Sequence, residues 1–224
     1  MSTGVLITSA TAADASELAQ VMISAYQDDD MYQAAFGRAV ERPSNDQEQE
    51  ERLLQEALFA DFAFSSNILL FKAVDPITGR IIGYADRMVP TNSALVKEPE
   101  DMNSDHRSTS IEWPSWNNRQ LFESGDALLN ESRDRLLGGL HREIVWKLRK
   151  VVVLPERRGE GVGRQLLEAG FKLIDGEGRN VFPHSTTVAW KLFESSGFEV
   201  LEEVEVMEGY HMMAMLRKAN GRVS

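Results

Sequence analysis

Between Val151 and Arg164 the chain reads Val-Val-Val-Leu-Pro-Glu-Arg-Arg-Gly-Glu-Gly-Val-Gly-Arg, with glycines alternating at 159, 161 and 163 among arginines at 157, 158 and 164. Glycines at that spacing let successive backbone N–H groups point one way with no Cβ in front of them, a geometry that suits an anion. A helix beginning at the same place adds N–H groups without internal partners and the positive end of its dipole, so a pyrophosphate would satisfy both. The arginines bring mobile positive charge.

Such a turn has to be held by its flanks. The β-branched run before Pro155 predicts the end of a buried strand, while Val162, Leu166, Gly170 and Ile174 recur every fourth residue and predict one face of a helix. No Lys-Ser or Lys-Thr follows the glycines, which excludes a Walker A loop, and the third glycine of a dinucleotide fingerprint is out of place.

Composition narrows the remaining chemistry. The 224 residues are 42% hydrophobic, enough for one large α/β domain but tight for two, so a single domain spanning 1–224 is expected. There is no cysteine, which rules out disulfides, thiolate zinc sites and a cysteine nucleophile. His106, His141, His184 and His211 are scattered, so no metal site is expected. A net charge of −11 argues against nucleic acid as a partner. The charge is uneven: His141 to Lys191 holds ten Lys or Arg against six Asp or Glu. A basic segment at the glycine turn suits a polyanion, and the acidic remainder suits a cationic amine. Apolar runs such as 68–71 and 151–154 are far too short to span a membrane, and the N-terminus lacks a signal-peptide pattern; a soluble cytoplasmic protein is expected. A monomer or a homodimer is expected.

Along the chain, Val5 to Thr8 reads as a first strand, with Thr11 or Asp14 opening a helix whose face is Leu18, Val21, Met22 and Ala25. Asp28-Asp-Asp ends it; these carboxylates either face a cationic substrate or form a solvated cap and turn. Asn45 to Ala63 predicts an amphipathic helix through Leu53, Leu54, Ala57, Leu58 and Phe62. Ile68 to Val74 and Arg80 to Val89 predict a hairpin around Asp75-Pro-Ile-Thr-Gly. From about 90 to 140 prolines, Trp113 and Trp116 precede a polar amphipathic stretch, Asn117 to Leu137, and the whole reads as an insertion whose tryptophans either line a pocket or pack on the domain. His141 to Leu154 predicts a long strand. Val181 to Ser185 predicts another, Thr187 to Ser196 a short helix closed by Gly197, and Phe198 to Val206 with Tyr210 to Leu216 a last hairpin.

The glycine turn resembles the acyl-CoA-binding motif of the GCN5-related N-acetyltransferase (GNAT) superfamily, with Arg158, Gly161 and Gly163 on its Arg/Gln-x-x-Gly-x-Gly/Ala positions. The run Ala189-x-x-Leu-Phe-Glu-Ser-Ser-Gly-Phe is similar to the family's Ala-x-x-Leu-Tyr-Glu-Lys-x-Gly-Phe, and Gly79-x-Ile-Ile-Gly-Tyr-Ala to its third strand. The resemblance covers Val5 to Phe36, Ile68 to Val89 and His141 to Leu216. It implies an α/β fold with a mixed, mostly antiparallel central sheet flanked by helices, and an insertion between the third and fourth strands.

The same resemblance implies direct attack of a small-molecule or peptidyl amine on acetyl-CoA. The pyrophosphate would sit on Arg158, Gly159, Gly161, Gly163 and Arg164, and the pantetheine arm along Val151 and Val153. Glu143 is the candidate base, on the fourth strand where several relatives carry a carboxylate. Phe193 stands where many relatives have a tyrosine acid and donates no proton; Tyr210 and Ser185 are the hydroxyls that could replace it. Phe193 is expected as an apolar wall beside the donor sulfur. A catalytically silent acyl-CoA-binding module of the same fold is the alternative.

Overall fold

The computed structural model describes residues 4–36, 45–64, 67–96, 114–138 and 144–219. Among them seven strands form one sheet: β1 (Leu6–Ser9), β2 (Ile68–Val74), β3 (Ile81–Met88), β4 (Trp146–Val153), β5 (Val181–Thr186), β6 (Glu199–Met207) and β7 (Tyr210–Leu216). The spatial order is β1-β2-β3-β4-β5-β7-β6, antiparallel throughout except that β4 and β5 run parallel. The helices are α1 (Ala15–Tyr26), α2 (Asp30–Ala35), α3 (Asn45–Phe64), α4 (Arg119–Leu137), α5 (Val162–Gly176) and α6 (Trp190–Glu194).

Alternation along β3 shows how the layers form. Tyr84 is fully buried edge-on against Phe59 of α3, with ring centroids 5.1 Å apart. Arg87, on the opposite face, donates to the Leu166 carbonyl of α5 at 2.7 Å. Thus α1 and α3 cover one face of the sheet and α5 the other. The predicted face of α5 is buried throughout: Val162, Leu166, Gly170 and Ile174 all point inward. Gly170 is required there, because a Cβ would lie 2.2 Å from the Arg87 guanidinium.

Three expectations shift. The buried face of α3 is Glu51, Leu54, Gln55 and Phe59 rather than a stripe through Leu53 and Ala57; Leu58 and Phe62 lie outside the described side chains. Burying Glu51 is tolerable because the Tyr32 hydroxyl donates to it at 2.6 Å. Strand β4 begins at Trp146, not His141. Helix α6 is five residues, starting at Trp190 rather than Thr187, since 187–189 form a turn. In the stretch read as an insertion, Asn118 caps α4 by accepting from Leu121 N–H, and α4 packs on β6 and α2. Trp116 packs against the core and donates from Nε1 to Glu50 at 2.6 Å; Trp113 lies outside the described residues.

Candidate active site

Strands β4 and β5 stay together for three residue pairs only, Trp146 with Val181, Lys147 with Phe182 and Leu148 with Pro183. Pro183 has no N–H to give, so the ladder ends there and the strands part. Beyond this point β4 runs on to Val153 beside an open cleft. The Leu154 N–H donates to Ile82 on β3 at 3.0 Å, and residues along a strand alternate. The Val151 and Val153 N–H and C=O groups therefore turn toward β5, where no strand meets them. The Val153 carbonyl faces Arg158 Nε at 3.4 Å, in agreement.

The cleft encloses about 700 Å³, lined along its length by Val151–Val153, Tyr26, the 157–164 turn and, opposite, Thr186, Ala189 and Leu192. At its far end lies the glycine turn. Gly159 and Gly161 have φ of +79° and +81°, the left-handed region that side chains resist, and a Cβ on either would stand in open space. Gly161 is the N-cap of the 15-residue α5 and offers no side-chain acceptor, and no acid occupies the first helical turn. The N–H groups of that turn thus face the cleft uncapped, at the positive end of the helix. Gly163 serves differently, by close packing: a Cβ would meet Leu192 Cδ2 at 3.0 Å.

The arginines divide their work. Arg158 donates to the Ala25 carbonyl at the end of α1 at 2.7 Å, tying the turn to that helix. Arg157 is held by Asp75 and Glu160. Among the described residues Arg164 pairs with Glu168 alone, 3.2 Å away and exposed on both sides, an i,i+4 contact worth a few tenths of a kcal/mol at most and easily exchanged for an anion.

At the α1 end the cleft meets Tyr26, Asp28 and Asp29. Asp29 has the capping role: it accepts from Tyr32 N–H at 2.9 Å and from the Tyr210 hydroxyl at 2.7 Å. Tyr210 is thereby occupied, its phenol held above the usual range by burial and by Asp29. Ser185 is buried and donates to the Thr186 carbonyl at 3.1 Å. Glu143 lies outside the described residues.

Two features were not read from the sequence. Tyr26 lines the cleft and stays protonated, because burial, and then Asp29 and Asp86, push its phenol up. It closes α1 in sequence like any helix-end tyrosine and gave no signal. The second is a bulge in β4, where Asp86 faces Lys150 but Arg87 faces Leu148, so that Arg149 is passed over.

Phe193 is not a wall of the cleft. It is 4% exposed and packs edge-on against Phe198 at 5.4 Å, while its neighbour Leu192 lines the cleft. A phenol there would place a hydroxyl in an apolar cluster. Phe193→Tyr is therefore expected to cost about 1–3 kcal/mol of stability by thermal unfolding, with turnover changed less than about tenfold. A large rate gain would show that the ring reaches the donor after all.

The profile of the acetyltransferase (GNAT) domain matches residues 125–200, a stretch that contains β4, the glycine turn and α6. Curated proteins yield no match. Solved structures similar over the whole chain include a Corynebacterium glutamicum protein described as histone acetyltransferase HPA2 and related acetyltransferase, with TM-score 0.60, 20% identity and full coverage of both chains. The PaiA N-acetyltransferase of Thermoplasma acidophilum, solved with coenzyme A, gives TM-score 0.55 at 13% identity over 96% of this chain and 99% of that one. Mosquito arylalkylamine N-acetyltransferase-like 5b gives 0.60 at 15%, covering 96% and 100%. The matched segment spans the glycine turn and the parted strands, and the sheet has the same fold. Residues 125–200 thus match the acetyltransferase (GNAT) domain, and the sheet as a whole has the fold of these solved acetyltransferases.

Proposed function

We propose that the protein is an N-acetyltransferase that moves the acetyl group of acetyl-CoA to an amine of a small molecule or peptide, by direct attack in a ternary complex. The observation that carries this is the parting of β4 from β5 into a cleft that ends on an uncapped glycine turn. The site fits the donor on three counts. Val151 and Val153 offer an amide edge to the pantetheine arm, Gly159, Gly161 and Gly163 leave room and N–H groups for the pyrophosphate, and Arg158 and Arg164 flank it with positive charge.

Acetyl-CoA supplies a thioester whose carbonyl carbon accepts the amine. A C–N bond forms and the C–S bond breaks, with the electron pair leaving on sulfur and the proton that nitrogen sheds on becoming an amide passing to that thiolate. A thiol of pKa about 8.5 leaves tolerably as thiolate, so the lack of an acid at Phe193 is compatible with turnover. A β4 N–H facing the cleft, at Val151 or Val153, is placed to stabilise charge on the carbonyl oxygen. The amine must arrive neutral, and an alkylammonium of pKa about 10.4 has to give up a proton first. Glu143 is the sequence's candidate for receiving it.

The test is release of free thiol from acetyl-CoA across a panel of primary amines, aminoglycosides and peptide N-termini. Transfer to at least one amine is expected. Transfer to hydroxyl acceptors alone would overturn the amine assignment, and acetyl-CoA binding without any turnover would replace it by a silent binding module.

A further inference from the structure

Met22 and Tyr26 stand four residues apart on α1 and so share one face of it. That face lies on the sheet. Lys150 Nζ approaches Met22 Sδ at 3.4 Å, and Lys150 sits opposite Asp86 in the register of β3 and β4, with Val152 opposite Tyr84. The Ala25 carbonyl, near the end of α1, is taken by Arg158, which follows the end of β4. Helix and strand therefore run the same way, and Tyr26 comes to the level of Val152 and Tyr84. Tyr84 and Asp86 alternate onto this face of β3, away from Arg87. Both are buried, at 0% and 2% exposure, and the Tyr84 hydroxyl and Asp86 Oδ1 have no hydrogen-bond partner among the described residues. An interior carboxylate oxygen without a donor is costly, and a catalytic use is one of the few reasons for a protein to keep it.

Tyr26 connects this interior to the cleft. Its ring is partly buried, stacks on Tyr32 with centroids 5.7 Å apart and lines the cleft, and its hydroxyl makes no hydrogen bond among the described residues. Burial first, then the Asp29 and Asp86 carboxylates, hold its phenol above the usual range, against a smaller opposing pull from Arg158. Tyr84 is raised by burial first and then by Tyr26 and Asp86. The field at the Tyr26 hydroxyl is thus negative, which favours an ammonium beside it. The charged and titratable groups around Asp86 are Tyr26 of α1, Tyr84 and Arg87 of β3, and Lys147 and Lys150 of β4, with Arg149 and Asp126 of α4 acting on the two lysines.

We infer that Asp86 is the proton acceptor of the reaction, reached through the Tyr26 hydroxyl, which meets the acceptor nitrogen in the cleft. This rests on the acetyl-transfer reading, and it gives to β3 the role that the sequence had assigned to Glu143. The ammonium passes a proton to the Tyr26 oxygen as that hydroxyl hands its own to the Asp86 carboxylate, directly or through one water. The amine is left neutral, Tyr26 is unchanged and Asp86 carries the proton until the product leaves. The second proton, shed when the nitrogen becomes an amide, goes to the thiolate. Tyr26 is the group that touches the substrate; Asp86 acts through it.

The pH profile of Asp86→Asn tests this, measured by thiol release with the fastest amine of the panel of primary amines, aminoglycosides and peptide N-termini. Without its proton acceptor the enzyme uses only amine that is already neutral, about one part in a few thousand of an alkylamine at pH 7 but about a tenth of a peptide α-amine. The expected loss at pH 7 is therefore about a hundredfold or more for an alkylamine and less than about tenfold for an α-amine. In either case it shrinks as the pH approaches the amine's own pKa, while acetyl-CoA affinity by calorimetry stays within about threefold of the wild type. A loss equal at every pH is the mark of a merely structural role and overturns the inference, as does no loss at all. Tyr26→Phe is expected to show the same pH-dependent loss, and it decides by the same criteria if Asp86→Asn gives no cooperative thermal unfolding. The two readings fail differently: a wild type that acetylates no amine removes the transfer reading and this inference with it, whereas a wild type that acetylates an amine, with both variants keeping its pH profile, removes this inference alone.

Discussion

Gly161→Asp is expected to weaken acetyl-CoA binding by about a hundredfold or more, roughly 2.7 kcal/mol, in calorimetric titration. Two effects act together. A φ of +81° is strained for any side chain, although Asp tolerates it better than most, and the space around its Cβ is open, so the fold is expected to survive. The carboxylate would then sit at the start of α5 as an N-cap, accept from the N–H groups that now face the cleft, and put negative charge where a pyrophosphate has to approach. Capping would stabilise the helix while closing the site. A folded variant that binds acetyl-CoA as tightly as the wild type would reject the donor assignment. Gly161→Ala separates the contributions, since it keeps the strain and adds no charge.

The second large effect is expected at Gly83, far from the glycine motif in sequence. It pairs with Val153 across β3 and β4, and a Cβ would lie 2.6 Å from the Val152 carbonyl oxygen. That neighbour is backbone in the strand that walls the cleft, so it cannot swing away. Gly83→Ala is expected to cost about 1–3 kcal/mol. In a protein of this size that lowers Tm by about 2–12 °C. Pushing β4 outward also moves Val151 and Val153, so acetyl-CoA affinity should fall with stability. Gly176→Ala is the control: it ends α5 with nothing within 4 Å and should be neutral or slightly stabilising. An unchanged Tm for Gly83→Ala would show that β3 and β4 relax at this point.

What was legible beforehand follows from local physics. Three valines, a proline and alternating glycines before a fourfold apolar repeat specify strand, turn and helix whatever surrounds them, because backbone freedom and periodicity are properties of the segment itself. That is why Gly161, Gly163 and the buried face of α5 stand where the sequence put them. The two hairpins were equally local, each being set by a short turn between β-rich runs.

Other features required the third dimension. The bulge that brings Lys147 and Lys150 to one face depends on the register of β4 against β3, which the sequence of β4 alone does not contain. Burial of Glu51 depends on Tyr32 arriving from another helix, so a polar residue took the position that a hydrophobic stripe had assigned to its neighbours. Phe193 matched a motif position in sequence, yet which side of a five-residue helix faces the cleft was decided by Phe198 packing beneath it. The surroundings of the two lysines were likewise hidden: Asn130 and Arg133 of α4 and His184 of β5 meet on this face only when the sheet closes and β5 turns away at Pro183.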